Sequence, residues 1–427
     1  MTSVLPTSLE VRLHERAIGS LTRLPDDTTL FHFSSDYLED ANRPLLSLGF
    51  LDARGRVRRP KEAPKGEVPA FFANLLPEGD LRRHVAHRAG ISANDEFALL
   101  WVTGDDLPGA ATVHDPLGRA LPPANAGGPE IAPPPERLLR FSLAGVQLKF
   151  SAIANAYGGL TIPAQGRDGH FIVKLPSRHF AEVPENEYAM LRYAAAVGID
   201  VPPIRLIALD HIEGLPHEAS SLTGQALAIE RFDRAADGTR IHTEDFNQIY
   251  RQRPRDKYDN YAFAHLCGTI YRVMGNDALV DFINRLVFTV GIGNNDMHLK
   301  NWSVIYRDGR TPALAPAYDY VCTKFYLGHD ETGLAFGSAR DFSHVTLEQF
   351  EHMAKRADVS TRLVRSTVRA MTDRMQDAWR PAEYGIGDRL AAAIEEQLRS
   401  VPLFSRPTGA PVEPETIPHS TSHEEIA

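Results

Sequence analysis

Between Gly291 and Asn301 the chain reads Gly-Ile-Gly-Asn-Asn-Asp-Met-His-Leu-Lys-Asn. An apolar run ends in two glycines and then delivers Asn294, Asn295, Asp296, His298, Lys300 and Asn301 in close succession. A solvated loop does not need such polar crowding, whereas a binding site does. Asp296 and Asn301 are five positions apart. A carboxylate can take the proton of an attacking hydroxyl, while an amide oxygen one loop-turn away helps hold magnesium on a transferring phosphate. A polar loop at a helix end, with Asn and Asp serving as caps, carries the same letters, so this pair alone decides nothing.

The next residues bring a second carboxylate. Trp302 to Tyr306 reads as a strand, Asp308-Gly309 as a two-residue hairpin turn and Thr311 to Leu314 as the return. This turn sets Asp319 opposite His298 and close to Asn301, although Pro312 and Pro316 weaken the returning strand and leave room for a slip in register. Two hard oxygen donors from protein, the rest from phosphate and water, is what a magnesium site requires. Asp319 capping the following segment is the plainer alternative.

A cation for phosphate comes from Phe171-Ile172-Val173-Lys174-Leu175-Pro176, where Lys174 sits inside an apolar strand and needs an anion partner. A lysine at a strand end that snorkels to water explains the same residue. The Asp296–Asn301 spacing matches the H-R-D-x-x-x-x-N loop of protein kinases, and FIVK stands where their strand lysine stands. Glu187 opens a helix expected over Asn186 to Val197, ended by Gly198, and could pair with Lys174 or only favour the helix dipole. Phe141 to Phe150 (FSLAGVQLKF) offers small residues and then a cation, a turn that could cradle phosphate or be an ordinary β-turn. Leu227 to Arg234 (LAIERFDR) reads as a buried strand leaving a sheet, whose charged end serves either an interlobe hinge or local ion pairs.

The elements that must position these residues fall into blocks. Short strands over Glu10–Leu13, Gly19–Leu24 and Thr29–Phe33 precede a helix from Asp80 to about Ala89 that stops at Gly90. His114 to Pro135 is rich in Pro, Gly and Ala and reads as a linker or exposed loop. A β-rich middle follows, then a mostly helical stretch from Asn260 with Phe282, Ile283, Leu286, Val287 and Val290 on one face. The last residues are Pro-, Ser/Thr- and Glu-rich without periodicity and are expected to be disordered.

The 427 residues suggest about three packing units at roughly 150 residues each. The net charge of −9 argues against coating nucleic acid by charge alone, so any DNA contact is local or borrowed from a partner. Two cysteines, Cys267 and Cys322, exclude a disulfide scaffold and a structural zinc site. No apolar run approaches the ~18 residues of a bilayer span, and the first residues lack the order of a secretory signal, so a cytoplasmic address without membrane contact is expected.

Taken in order, eight segments resemble the HipA family of serine/threonine-kinase toxins from bacterial type II toxin-antitoxin systems. They are GSLTRLPDDTTLFHFSSDYL, FFANLLPEG, FSLAGVQLKFS, FIVKLP, NEYAML, LAIERFDR, GNNDMHLKN and PAYDY, running from Gly19 to Tyr320. The resemblance implies an α+β, two-lobed, protein-kinase-like fold: a β-rich N-terminal lobe with an extra small sheet module, a mainly helical C-terminal lobe, and ATP with Mg2+ between them. It divides the chain into a HipA-type N-terminal module (1–113), a Pro/Gly-rich linker (114–137), a kinase N-lobe (138–235), a helical C-lobe (236–405) and a disordered tail (406–427).

By the same resemblance Asp296 is the catalytic base, with Asn301 and Asp319 at the metal. Ala144, Gly145, Val146, Gln147, Leu148 and Lys149 form the phosphate loop, and Lys174 holds ATP phosphates. Glu230, Arg231 and Phe232 are the adenine hinge, His298, Leu299 and Lys300 complete the loop contacts, and Tyr318 stands beside Asp319. Ser142 corresponds to an autophosphorylation site that ejects the phosphate loop and inactivates the enzyme. The implied partners are a HipB-like helix-turn-helix antitoxin, operator DNA through that complex, and as substrate an aminoacyl-tRNA synthetase such as glutamyl-tRNA synthetase, whose modification would halt translation. A small-molecule phosphotransferase and a non-catalytic nucleotide-binding co-repressor are the competing readings.

Overall fold

The computed structural model describes residues 5–405 apart from 120, 122–148, 155–158, 163–168, 216–218, 220, 329–330 and 338. Ser142, the expected phosphate loop except Lys149, residues 120 and 122–137 of the 114–137 linker and the 406–427 tail lie outside the described residues.

Strands β1 (Ser8–Leu13), β2 (Arg16–Arg23), β3 (Thr29–Phe33) and β4 (Ala111–His114) form an antiparallel sheet in the order β3-β2-β1-β4. Two-residue alternation turns Leu9, Val11 and Leu13 inward, where they join Phe31, Phe71, Phe72 and Trp101 in one apolar cluster. Gly19 is required where β2 lies against β3, since a Cβ there would sit 2.1 Å from the His32 carbonyl oxygen. The helix Gly79–Ala89 closes at Gly90, whose φ of 63° only glycine adopts freely.

The second sheet holds β5 (Lys149–Ala154), β6 (Leu160–Thr161), β7 (Phe171–Lys174), β8 (Ile204–Ala208), β9 (Ile212–Glu213) and β10 (Gln225–Glu230), ordered β8-β10-β7-β5-β6-β9. Alternate residues of β10 serve two cores. Ala226 and Ala228 pack with Val173 and Ile207, while Leu227 and Ile229 pack with Met190 and Leu191 of the helix Val183–Ala196. This helix begins three residues before the expected Asn186, at Val183, with Pro184 in its first turn. Glu187 therefore lies more than a turn inside, where a dipole role fades.

The helical half is built on Phe263–Gly291, which breaks at Gly275 (φ 84°, ψ −166°), and on Leu347–Ala357, Thr361–Asp377 and Asp388–Ser400. Their apolar faces, with Phe282, Leu286, Phe288, Phe350 and Met371, form the largest core. Two small sheets interrupt the expected run of helices: β11 (His242–Asp245), β12 (Ser303–Tyr306) and β13 (Ala313–Leu314), then β14 (Glu331–Phe336) with β15 (Ala339–Asp341).

The β12–β13 hairpin forms, but one residue out of the expected register: Val304 pairs with Leu314 and Ile305 with Ala313. The Asp308 carboxylate accepts from the N–H groups of Arg310 and Thr311 at 2.8 and 2.7 Å, which spreads the turn over Arg307 to Pro312. Among the described residues no helix is long and apolar enough to cross a membrane, and Cys267 and Cys322 are both buried and free.

Candidate functional site

Lys174 closes β7 with its side chain buried, and two carboxylates reach its ammonium: Glu187 Oε1 at 2.5 Å and Asp319 Oδ1 in closer contact. Burial works against the lysine's charge, but the pull of Asp319 and then Glu187 outweighs it and raises the Lys174 pKa. Burial would likewise raise Asp319, and Lys174 followed by Lys149 instead hold it well below the usual carboxylate range. Glu187 goes the other way, since its burial pushes the carboxyl up by more than Lys174 draws it down. Lys174 and Asp319 are thus the firmly ionised pair.

Asp319 has a φ of 56°, a left-handed conformation that costs a non-glycine residue about 1–2 kcal/mol and persists only where neighbours over-determine it. Asn294 supplies one constraint by donating from Nδ2 to the Asp319 carbonyl at 3.0 Å. The same asparagine accepts from the Asp296 N–H at 3.0 Å, so one side chain ties the base loop to the Asp319 loop. Thr323 Oγ1 accepts from the Asn295 N–H at 2.7 Å, and Asn301 Nδ2 donates to the Asp296 carbonyl at 2.9 Å. Much of the polar crowding noticed in the sequence therefore shapes the loop itself. Gly333 of β14 backs it closely: a Cβ there would lie 2.7–2.8 Å from the backbone of Met297.

Two cavities meet at this loop. The larger, of about 430 Å³, is lined by Lys174, Glu230, Arg231, Phe232, His298, Lys300, Tyr318 and others. The smaller, of about 40 Å³, is lined by Asp296, Asn294, Glu187 and Thr323 among others. Lys149, Lys174, Asn301 and Asp319 line both. Leu299 is the exception among the expected contacts. It is fully buried in the core, its N–H bonded to the Lys257 carbonyl at 3.2 Å, and it anchors the loop without lining either cavity.

At the expected hinge two backbone N–H groups are already bonded within the protein. The N–H of Glu230 bonds to the Pro203 carbonyl at 2.9 Å and that of Arg231 to the His170 carbonyl at 2.8 Å. An adenine edge would meet the carbonyls of this stretch or the N–H of Phe232 instead. The Arg231 guanidinium is committed to Asp106 and Asp233, at 3.0 and 2.9 Å. The Phe232 and Tyr318 rings stand 5.8 Å apart, and the Tyr318 hydroxyl donates to the Lys300 carbonyl at 2.7 Å.

A third wall was not legible in the sequence. Asn74 to Glu78, with Leu81, Val85 and Leu107, line the larger cavity from the N-terminal sheet module. Glu78 meets Lys257 at 3.2 Å and Lys300 at 3.4 Å. Burial alone would raise its pKa, but Lys300 and Lys257 bring the carboxyl down to about 2. Burial, reinforced by Lys257, takes His298 well below its ordinary value, so the imidazole is neutral.

The donor set suits a hard cation. Asn301 spends its amide nitrogen on the Asp296 carbonyl, which leaves Oδ1 as its free donor, and Asp319 adds a carboxylate. Among the described residues no group of three or more His, Cys, Asp or Glu is placed to hold a metal, so the fit is to an ion shared with phosphate oxygens.

A β-rich lobe carrying a buried lysine–glutamate pair, set against a helical lobe carrying the Asp296–Asn301 loop, defines a two-lobed kinase-like protein. Comparison with known proteins gives the family. The HipA-like C-terminal domain model matches residues 141–379 and the HipA N-terminal domain model residues 9–114. A Sinorhizobium fredii protein named "Putative kinase Y4dM" is 44% identical over 93% of this chain and 98% of its own length. A second from that organism, "Putative kinase Y4mE", is 29% identical over 85% of this chain and 89% of its own. A chain of the Shewanella oneidensis toxin–antitoxin complex of HipA, HipB and operator DNA superposes with a TM-score of 0.71, covering 93% of this chain and 96% of that one. At 22% identity that likeness is one of fold. The chain belongs to the HipA family.

Proposed function

We propose that this protein is an ATP- and Mg2+-dependent serine/threonine protein kinase that acts as the toxin of a type II toxin-antitoxin system. The observation that carries this reading is the meeting of Lys174, Asn301 and Asp319, from both lobes, in one cavity that also holds Asp296. Asn301 and Asp319 would hold the magnesium, which when bound neutralises charge on the phosphate oxygens. Lys174 would bind phosphate with an ammonium that Glu187 also holds in place. The acceptor hydroxyl gives its proton to Asp296, whose backbone is fixed from both sides by Asn294 and Asn301. Lys149, paired with Lys174 across β5 and β7, brings a second cation to the cavity mouth.

Protein substrate, antitoxin and DNA are inferred from the family. A HipB-like helix-turn-helix partner, operator DNA bound through it and an aminoacyl-tRNA synthetase as acceptor suit a chain of net charge −9 that does not itself present a strongly basic balance. Ser142 is the proposed self-phosphorylated position, which Ser142→Ala should leave unlabelled.

Transfer from γ-labelled ATP to protein tests the assignment. Wild type should label an acceptor, and Asp296→Asn should lose about 10²–10⁴-fold in rate while still binding nucleotide. Equal labelling by both proteins would remove Asp296 from the role of base, and turnover of small alcohols without protein labelling would favour a small-molecule phosphotransferase.

A further inference from the structure

Tyr258 stands at Asp296 although no motif pointed to it. Its hydroxyl donates to Asp296 Oδ1, the carboxylate that the proposed reaction gives to the acceptor. An acceptor hydroxyl must make that same bond, since a base can only take a proton it is hydrogen-bonded to. The phenol therefore offers Asp296 the contact an incoming serine or threonine would offer.

The two partners are held differently. Asp296 is buried at 9% exposure on a loop whose backbone is tied down by Asn294 and Asn301. Tyr258 is half-buried, two residues beyond the short turn Pro254–Asp256. Its ring meets the edge of His298 at 5.0 Å between centroids, the Lys257 ammonium lies 5.6 Å from that ring, and its carbonyl accepts from Arg340 at 3.1 Å on the exposed side. The catalytic loop is fixed through its backbone, whereas Tyr258 is only half-buried. Tyr258 itself lines neither cavity, but Lys257 and His298, which its ring meets, line the larger one together with Lys174 and Asp319.

We propose that Tyr258 is a stand-in acceptor: its hydroxyl occupies the acceptor position on Asp296 until a substrate hydroxyl displaces it. The proposal rests on the kinase reading above. Its consequence is competition, paid in acceptor affinity and in shielding of Asp296 from water, with no part in nucleotide binding. Phosphoryl transfer itself is unchanged: the acceptor oxygen bonds to the γ-phosphorus, the bond to ADP breaks and Asp296 takes the acceptor's proton.

The test uses the full-length chain, γ-labelled ATP with magnesium, and dephosphorylated casein as the acceptor probe. Tyr258→Phe keeps the ring and removes only the hydroxyl. It should lower the KM for casein about tenfold, the size of one displaced charged hydrogen bond, with kcat and the KM for ATP within about twofold. Without casein, ATP hydrolysis should rise several-fold, because water gains access to the base, and Asp296→Asn should abolish that rise. A fall in kcat with unchanged casein KM would make Tyr258 a positioning residue and overturn the proposal, as would labelled phosphate found on Tyr258 itself. If wild type neither transfers nor hydrolyses phosphate, the kinase reading fails and this inference with it. If wild type is active and Asp296-dependent while Tyr258→Phe behaves identically, this inference alone fails.

Discussion

Two clusters of buried charge border the larger cavity, and they are built to different rules. At the junction between the N-terminal module and the hinge, Arg231 and Arg234 each bond to both Asp106 and Asp233, at 2.9–3.0 Å. Two arginines face two aspartates, and Asp233 also accepts from the Gly109 N–H at 2.7 Å. At the cleft, Lys174 bonds to both Glu187 and Asp319, and Lys149 acts on Asp319 from farther off. At the junction every carboxylate is bonded to two arginines, with Arg240 a further 3.8 Å from Asp106, whereas at the cleft one lysine is shared between two carboxylates beside both cavities. Buried ionic groups therefore do not mark a site by themselves; carboxylates that outnumber the cations bonded to them, beside open volume, do.

The same chemical change should separate the clusters. Asp319→Asn leaves Lys174 and Glu187 as a neutral pair, so the fold should keep its melting temperature while phosphoryl transfer falls by about 10³-fold or more. Asp233→Asn leaves two buried guanidinium groups short of an anion and should cost about 3–5 kcal/mol of stability in a denaturant titration, with the folded fraction still active. Loss of stability from the first variant, or of activity alone from the second, would break the comparison.

A further buried carboxylate joins the same module to the C-terminal lobe through hydroxyl and amide donors. Glu244 accepts from Ser47 Oγ, from the Leu48 N–H at 2.9 Å and from the Tyr306 hydroxyl, and burial pushes it up to about 7. A carboxyl raised in the folded state gives its full contribution below about pH 4.5 and loses it as pH rises through about 7, for a total on the order of 3 kcal/mol. Melting temperature should therefore fall between pH 5 and 8, and less so in Glu244→Gln. A flat profile in wild type would show that Glu244 is ionised and well solvated.

The smallest effect concerns the support of the loop. Gly333→Ala pushes a methyl group into the Met297 backbone and should cost about 1–3 kcal/mol. It should also lower kcat more than the KM for ATP, since Met297 adjoins Asp296 while Lys174 lies on another strand. An unchanged kcat would show that the loop yields without moving its carboxylate.

What could be read in the sequence was what lies close in the chain. Asp296 and Asn301 share one loop, and Asp319 follows by a single hairpin, so their convergence was legible even though the capping by Asp308 shifted the register. Lys174 announced itself by being a cation in an apolar strand. Its pairing with Glu187 stayed open because the helix start was misplaced by three residues, and the true start at Val183 moves Glu187 from the helix's first turn to beyond it. The module wall at Glu78, the junction of Arg231 with Asp106 and the Tyr258 contact were not legible. Arg231 and Asp106 lie 125 positions apart, and neither local periodicity nor motif spacing carries information over such a distance. Tyr258 is 38 positions from Asp296 in a segment of turns with no repeat to betray it.

Titration of ATP into the full-length protein, with and without magnesium, tests the central claim most directly when wild type is set beside Asp319→Asn. The account predicts that magnesium tightens ATP binding at least tenfold in wild type and leaves the variant unaffected, with magnesium-free affinity similar in both. An identical magnesium response in the two proteins, or no ATP binding to either, would contradict it.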